Sequence, residues 1–586
     1  MYRTHTCGAL NKQHIGETVT LSGWVKVRRD LGGLIFINLR DKSGVTQLVI
    51  DPEKEPAVHK IAETLRAEWV IKVTGVVVAR VAGQENKEMS TGEIEVQVSD
   101  IEILSKAEVP PFEIDKGDVR EELRLEYRYL DLRTERMQRN LQLRHDLVRD
   151  IRQHFYGADY TEVETPIMVK GTPEGSREYL VPSRMHPGSF YVLPQSPQQL
   201  KQLLMVGGLD KYFQVARCFR DEDLRGDRQP EFTQFEIEAS FVSQADVMNV
   251  FEDCFVKLTE KHAPQKEWKK FLVDGQFKQI TWQEAMEKYG SDKPDIRFGL
   301  EFENITDISR TSGFGVFESA ETVFAMKIPA SLGTFSRKDI DAFTEEAKKN
   351  GAMGLAWYRV DEAAGPVAKN TNDDFKQALK EQTKAESGDL VLFGAGEFLK
   401  AVEPLGAVRL MVADRLGLRN QNEFAYLWVV DFPMFEMKED GTRQAAHHPF
   451  TAPHPDDVDL LDTNPMQCRA LAYDLVMNGI ELGGGSIRIH DRDLQYKMFE
   501  ILGMDDAEIQ MKFGHILKAF SYGVPPHGGA AMGLDRVVML FADEPNIREV
   551  IAFPKNQSGQ DLMLGSPAPM PEKEVSEQNI KVINVE

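Results

Sequence analysis

Residues 218–238 read CFRDEDLRGDRQPEFTQFEIE, two stretches of alternating character joined by a dense loop of opposite charges. If the flanks are strands, successive side chains point to opposite faces. Gln234, Glu236 and Glu238 then project to one side, and Phe235 and Ile237 to the other. Such a strand belongs to a sheet with one apolar face and one face lined with polar groups. In the loop entry, the Arg220 guanidinium can bridge carboxylate and phosphate oxygens, and Glu222 can accept from an adenine amino group. An ion-paired hairpin without any ligand explains the same residues, so the stretch settles the kind of sheet before it settles a use for it.

Two glycine-rich segments lie downstream. Asn478-Gly-Ile-Glu-Leu-Gly-Gly-Gly-Ser-Ile-Arg488-Ile-His490 sets Glu481 and Arg488 on either side of a glycine run, where a ligand can lie against bare backbone. Glu481 suits magnesium, which takes one or two carboxylates plus phosphate oxygens. Gly528-Gly-Ala-Ala-Met-Gly-Leu-Asp-Arg536 leads into the apolar run from Val537 to Phe541, and Arg536 near that helix start can neutralise phosphate charge. A glycine-kinked strand and an ordinary helix entry are the plain alternatives.

Working outward, 586 residues with 42% apolar content exceed what one core fills, so several domains are expected. The N-terminus lacks a basic region followed by an apolar stretch, and no run of roughly 18 uncharged apolar residues occurs. Cys7, Cys218, Cys254 and Cys468 lie far apart with no CxxC pairing, which suits a reducing compartment. A cytoplasmic protein without membrane segments is expected. The net charge of -23 argues against indiscriminate nucleic-acid binding, which needs clustered Lys and Arg. Residues 1–105 are close to charge balance, so a local RNA-binding surface there stays open.

From Glu17 to Glu102 the period of two predicts five strands with one helix, near Pro56 to Arg66, after the third: the content of an OB-type barrel. Residues 1–107 are assigned to it. The Pro-containing, charge-dense stretch 108–134 reads as a hinge. Met137, Leu141, Val148, Ile151 and Phe155 share one helical face, placing an amphipathic helix at Glu135 to Tyr156. The α+β body runs from 135 to 289 and resumes from 416 to 555. Residues 290–415, with Gly-rich turns and no catalytic cluster, read as an inserted α+β domain, and 556–586 as a C-terminal extension.

The three segments, in order after Thr161-Glu-Val-Glu-Thr-Pro166, resemble the signature of class II aminoacyl-tRNA synthetases. Thr172-Pro-Glu-Gly175, Leu193-Pro-Gln-Ser-Pro-Gln198 with Lys201, Phe219-Arg-Asp-Glu-Asp-Leu-Arg225, His447-His-Pro-Phe450 and Gly484-Gly-Ser-Ile-Arg488 narrow the resemblance to the bacterial-type aspartate enzymes. It implies an antiparallel catalytic sheet, Pro166 at a homodimer interface, and an inserted domain. It implies L-aspartate among Glu174, Ser196, Gln198, Lys201, Arg220, Glu236, His447 and Arg488, with Arg488 and Lys201 on the side-chain carboxylate. ATP would be held by Arg220, Asp221, Glu222, Gln229, Glu481 and Gly533-Leu534-Asp535-Arg536, with Mg2+ at Glu481. Arg220, Glu222 and Arg536 would carry the catalysis. For tRNA the resemblance implies Arg29, Leu31, Phe36, Gln47, Gly83 and Glu95 at the anticodon, and Asp223, Arg225 and Arg228 at the acceptor end. Phe36, an aromatic beside Asn38 and Arg40 on a polar face, suits stacking of an unpaired base.

Three features depart from the family pattern. Glu236 stands where relatives usually carry Asp. The glycine expected before Pro166 is replaced around Asp159, with Gly157 displaced. Relatives restricted to tRNA(Asp) pair Leu with Lys at positions 31 and 83, those that also charge tRNA(Asn) pair His with Gly, and Leu31 with Gly83 is split between the two. The rival readings are an asparagine or lysine synthetase and a non-catalytic RNA-binding paralogue. The pair Arg488 and Lys201 argues against the first, and the intact Arg220, Glu222, Glu481 and Arg536 against the second.

Overall fold

The computed structural model describes residues 1–171, 175–362, 364–438 and 440–583. The chain divides into two compact units, one of Met1–Gln142 with 552–556 and 560–567, the other of Leu143–Ile551 with 557–559 and 568–586.

In the first unit β1 (Thr18–Leu31), β2 (Leu34–Asp41), β3 (Gly44–Ile50), β4 (Val70–Ala79) and β5 (Ile94–Ser105) close a barrel in the order β1-β2-β3-β5-β4. The helix α1 (Pro56–Thr64) follows β3, its Pro56 at the position where a missing N–H costs nothing. Alternation buries Val19, Leu21 and Val25 of β1 and Ile35, Ile37 and Leu39 of β2. Register shifts in β1 between Val25 and Val27 and in β4 between Thr74 and Gly75 supply the bends that closing five strands requires.

The stretch expected as a hinge is fastened to this barrel. Trp69 donates from Nε1 to the Ala107 carbonyl at 3.0 Å, Lys26 pairs with Asp115 at 2.9 Å, and Arg133 pairs with Glu68 at 2.9 Å. Arg133 also lies over the Trp24 ring, and Glu68 binds Arg40 at 2.7 Å. Arg40 is therefore buried rather than displayed beside Phe36, because the Glu68 carboxylate draws it inward.

The second unit is built on a nine-stranded sheet in the order Leu272–Val273, Gln276–Thr281, Tyr426–Val430, Ala472–Met477, Ile480–Ile487, His527–Gly533, Glu231–Ser240, Lys211–Phe219, Thr161–Glu162. Every pairing from Tyr426–Val430 across to Lys211–Phe219 is antiparallel. Phe235 and Ile237 are buried in the core with Phe155, Phe213, Phe251 and Val537, which leaves Gln234, Glu236 and Glu238 on the other face. The glycine run lets two strands approach closely: a Cβ at Gly485 would lie 2.2 Å from the Gly529 carbonyl oxygen, and one at Gly483 2.0 Å from that of Ala531.

Asp159 takes a left-handed φ of 66°, the conformation glycine adopts freely and Asp tolerates better than most residues, so the turn survives the replacement. Within 290–415 a separate antiparallel sheet runs Phe302–Asn304, Thr322–Ile328, Leu390–Gly396, Ala356–Arg359, against helices Arg337–Lys349 and Phe398–Leu416.

Gly485→Ala will force backbone apart where no flexible side chain can yield. A loss of about 1–3 kcal/mol in urea unfolding is expected, and an unchanged midpoint would contradict the close packing of these strands.

Candidate active site

The polar face of the sheet floors a cavity of about 580 Å³. Helix Gln198–Val206 overlies it with Gln198, Lys201 and Gln202 buried, an arrangement a polar helix adopts only over a polar surface. The helix begins from Pro197 without a side-chain cap, and Ser196 just before it lines the cavity.

Glu238 and Glu236 have no exposed surface. Glu238 receives the Arg488 fork, Nε to Oε1 at 2.9 Å and Nη2 to Oε2 at 3.1 Å, and Lys201 Nζ lies 3.4 Å from Oε2. Burial favours the neutral acid, but Arg488 and then Lys201 outweigh it and hold this carboxyl below its ordinary range. For Glu236 burial wins over Lys201, 3.6 Å away, and the Tyr212 hydroxyl, 2.9 Å away, so its carboxyl is pushed up. Among the described residues Glu236 Oε2 has no hydrogen-bond partner.

All five N–H donors of Arg488 are engaged. Beyond Glu238, Nη2 donates to the Gly529 carbonyl at 3.2 Å, and Nη1 to Ser486 Oγ and to His448 Nε2 at 2.7 Å. Because an arginine only donates, His448 Nε2 accepts from it, and Nδ1 faces the Phe450 backbone N–H at 3.2 Å and Thr451 Oγ1 at 3.4 Å. Burial, then Arg488, His447 and Lys201 push His448 well below the usual histidine range. His447 goes the other way. Burial lowers it, but the bond to Asp474 and that group's charge raise it further, with Nε2 3.6 Å from Oδ1.

On the other side of the cavity, Arg220 stacks over Phe232 at 5.1 Å and its buried Nε has no hydrogen-bond partner among the described residues. Glu222 accepts from Ser176 Oγ and from Arg228 Nη1 at 3.1 Å. Arg536 donates from Nη1 to the Glu481 carbonyl at 2.8 Å and lies 3.2 Å from Asp227 through Nη2. Burial first and then Asp474 push the Glu481 carboxyl up. Asp474 fits only because residue 484 is glycine: a Cβ there would lie 1.9 Å from its Oδ1.

Of the residues expected around an amino acid, Ser196, Gln198, Lys201, Arg220, Glu236, His447 and Arg488 line this cavity, and Glu174 falls outside the described residues. Of those expected at a nucleotide, Arg220, Glu222, Gln229, Glu481, Gly533, Asp535 and Arg536 line it. Leu534 is instead in the core, and Asp221 bonds Arg177 through its backbone at 3.1 Å. Asp535 reaches the wall but is spent on Arg144 at 2.6 Å and the Thr233 amide at 2.9 Å. Arg228 lines the cavity, whereas Asp223 and Arg225 do not.

On the barrel, Phe36, Gln47 and Glu95 line a separate cavity of about 420 Å³, with Gln47 Nε2 donating to Glu95 at 2.9 Å. Arg29, Leu31 and Gly83 are outside that lining. Sequence reading missed His448, Asp474 and Asp292 in the large cavity. Asp474 was detectable as a lone carboxylate inside the apolar run LAYDLVM; His448 and Asp292 carry no such signal.

A family model described as tRNA synthetases class II (D, K and N) matches residues 120–557, and one described as OB-fold nucleic acid binding domain matches 19–104. Aspartate--tRNA(Asp/Asn) ligase of Rubrobacter xylanophilus is 49% identical over 99% of this chain and 97% of its own. Aspartate--tRNA ligase of Geobacillus kaustophilus is 49% identical over 100% and 99%. Among solved structures, asparaginyl-tRNA synthetase from Pyrococcus horikoshii complexed with asparaginyl-adenylate aligns with a TM-score of 0.60 at 19% identity, covering 94% of this chain and 98% of that one. The likeness to that structure is one of fold.

The two histidines give opposite pH signatures. The folded ring of His448 binds its proton less tightly than the unfolded chain, so its contribution is present at neutral pH and lost as pH falls below about 6.5. That of His447 is present at acid pH and lost as pH rises through its raised value. His448→Gln keeps an acceptor for Arg488 and cannot titrate. Its loss of urea stability between about pH 7 and about pH 5.5 will be smaller than that of the parent protein. Parallel losses would exclude His448 as a titrating group.

Proposed function

Because the chain belongs to the class II tRNA synthetases of the D, K and N group, we propose that it activates L-aspartate with ATP and transfers the aspartyl group to tRNA(Asp). The observation that carries this reading is one cavity that joins Lys201 and Arg488 to Arg220, Glu222, Glu481 and Arg536. The first two suit the side-chain carboxylate of a small dicarboxylic acid. A neutral amide there offers only a neutral acceptor, where a carboxylate makes the stronger charge-assisted bond.

Glu236, with its unbonded Oε2, suits the substrate ammonium together with Ser196 and Gln198, and Glu174 belongs to the same proposed set. Arg220 stacks and bridges substrate carboxylate and α-phosphate, and Glu222 takes the adenine amine once Arg228 and Ser176 release it. Gln229, Asp221 and the Gly533-Leu534-Asp535-Arg536 segment complete the proposed nucleotide set. An α-carboxylate oxygen attacks the α-phosphorus in line, the bond to the β-phosphate breaks, and pyrophosphate leaves. A terminal ribose hydroxyl then attacks the mixed anhydride and AMP departs. No protein nucleophile is needed.

Magnesium bound with ATP fits Glu481 and Asp474, since burial and then the like charge of Asp474 raise the proton affinity of Glu481, and a divalent cation would relieve that like charge. It would neutralise phosphate charge there. On the barrel, Phe36 for stacking and the Gln47–Glu95 pair for hydrogen bonding suit unpaired anticodon bases, with Arg29, Leu31 and Gly83 beside them and Asp223, Arg225 and Arg228 toward the acceptor end. Leu31 with Gly83 leaves charging of tRNA(Asn) as a second substrate to be tested. Exposed Ile167 and Met168 beside Pro166 support a homodimer. The four cysteines are buried, with no disulfide among the described residues, which supports a cytoplasmic setting, and no described helix is long and apolar enough to cross a membrane. We read 290–415 as the inserted domain, between body segments 135–289 and 416–555.

ATP–pyrophosphate exchange measured with each amino acid will respond to aspartate. A response to asparagine or lysine but not to aspartate overturns the substrate assignment. Phe36→Ala will lower the charging of tRNA by about tenfold, the worth of one lost base stack, and leave aspartate-dependent exchange intact. Equal losses in both assays would refute the role given to the barrel.

A further inference from the structure

Residues 289–295 read YGSDKPD and open the segment in which the sequence signals no catalytic cluster. The loop is clamped from behind. Gly290 has a φ of +65°, and a Cβ there would lie 2.1 Å from the Val402 carbonyl oxygen. Buried Asp295 accepts from Arg297 Nη2 at 2.6 Å and lies 3.4 Å from Arg419 Nε, while Arg409 Nη2 donates to its carbonyl at 3.0 Å. A Cβ at Gly479 would lie 3.0 Å from Asp295 Cβ, so the loop rests on the turn that starts the strand carrying Glu481.

The tip of the loop is charged and open. Asp292 lines the large cavity with Asp474 and Glu481. Lys293 Nζ lies 3.0 Å from Asp292 Oδ1, and 46% of its side chain is exposed. Burial works against the charged ammonium, but Asp292, then Glu481 and Asp474, hold its proton more tightly than usual. Asp292, which shares the cavity lining with Asp474 and Glu481, thus holds one accessible cation 3.0 Å away on a rigid mount.

We propose that Lys293 is a further binding residue of the nucleotide site, its ammonium contacting the β- and γ-phosphates of a nucleoside triphosphate and the departing pyrophosphate from the Asp474 and Glu481 wall. The proposal rests on the ATP-dependent reading above. A half-exposed pair such as Lys293–Asp292 contributes little, so the ammonium can exchange Asp292 for a phosphate at small cost. Arg536, which lies 3.8 Å from Glu481 Oε1, is already bonded to the Glu481 carbonyl and paired with Asp227. A triphosphate brought against three carboxylates needs a positive group on that side, and rigid mounting places one there before the ligand arrives.

The test uses Lys293→Met and Lys293→Arg in the full chain. Aspartate-dependent exchange will show KM for MgATP, and for pyrophosphate in the reverse direction, raised about tenfold in Lys293→Met. Lys293→Arg will recover most of that loss, and the KM for aspartate and the urea midpoint will not move. Unchanged values for both phosphate ligands overturn the proposal. So does a lower magnesium requirement at unchanged KM for MgATP, the mark of a simple counter-ion to the carboxylates. Calorimetric binding of MgATP without amino acid gives the same comparison independently. Absence of aspartate-dependent exchange in the parent protein would count against the substrate reading, while weaker MgATP binding by Lys293→Met would still support Lys293.

Discussion

Glu238 carries a full charge with no exposed surface, and it can do so only because Arg488 grips both its oxygens and Lys201 stands 3.4 Å away. A buried carboxylate stripped of such partners costs several kcal/mol, about 3–5 when one member of a pair is removed. The constraint runs in both directions, since the two cations would be equally costly without it. Much of the second unit serves this charge balance. The antiparallel register brings Glu238 opposite Gly529, the glycine run keeps Arg488 within reach across two strands, and helix Gln198–Val206 lays Lys201 over both carboxylates.

The balance also sets the character of the cavity. Glu238 binds both cations before any ligand arrives, so the pocket is not a bare positive hole. Glu236, whose carboxyl burial pushes up, lies 3.6 Å from Lys201 and shares that cation with Glu238. Under the proposed reading, a substrate carboxylate meets what Lys201, Arg488 and Arg220 retain after Glu236 and Glu238 are counted.

Period-two alternation carried most of the architecture. Phe235 and Ile237 against Gln234, Glu236 and Glu238 predicted both faces of the catalytic strand, and Val19 to Leu39 predicted the barrel, because half-buried strands must alternate. The connector 108–134 reads as a hinge by composition, yet its charges are used: Asp115 and Arg133 meet Lys26 and Glu68, residues far away in sequence. Arg40 shows the same limit, since a strand position fixes the direction of a side chain but not the partner that buries it. Leu534 sits inside a nucleotide-type string and still packs in the core, as helix geometry turns successive residues to different sides. His448 could not be told from His447 by adjacency. Opposite projection separates them, and only Asp474 on one side and Arg488 on the other give them different charges.

The filled fork of Arg488 changes what recognition in this cavity must be. With every N–H bonded, a carboxylate can meet the guanidinium only by displacing an acceptor. Glu238 is held by two charge-assisted bonds and the Gly529 carbonyl is fixed in the sheet, so the neutral His448 and Ser486 are the replaceable ones. Exchanging a neutral imidazole nitrogen for a carboxylate oxygen turns an ordinary hydrogen bond into a charge-assisted one, roughly twice as strong. An amide oxygen offers no such gain, because it replaces one neutral acceptor with another. Under the proposed reading, discrimination would arise from a difference between acceptors at one arginine, and a protein that already satisfies that arginine internally sets the reference an incoming ligand must exceed.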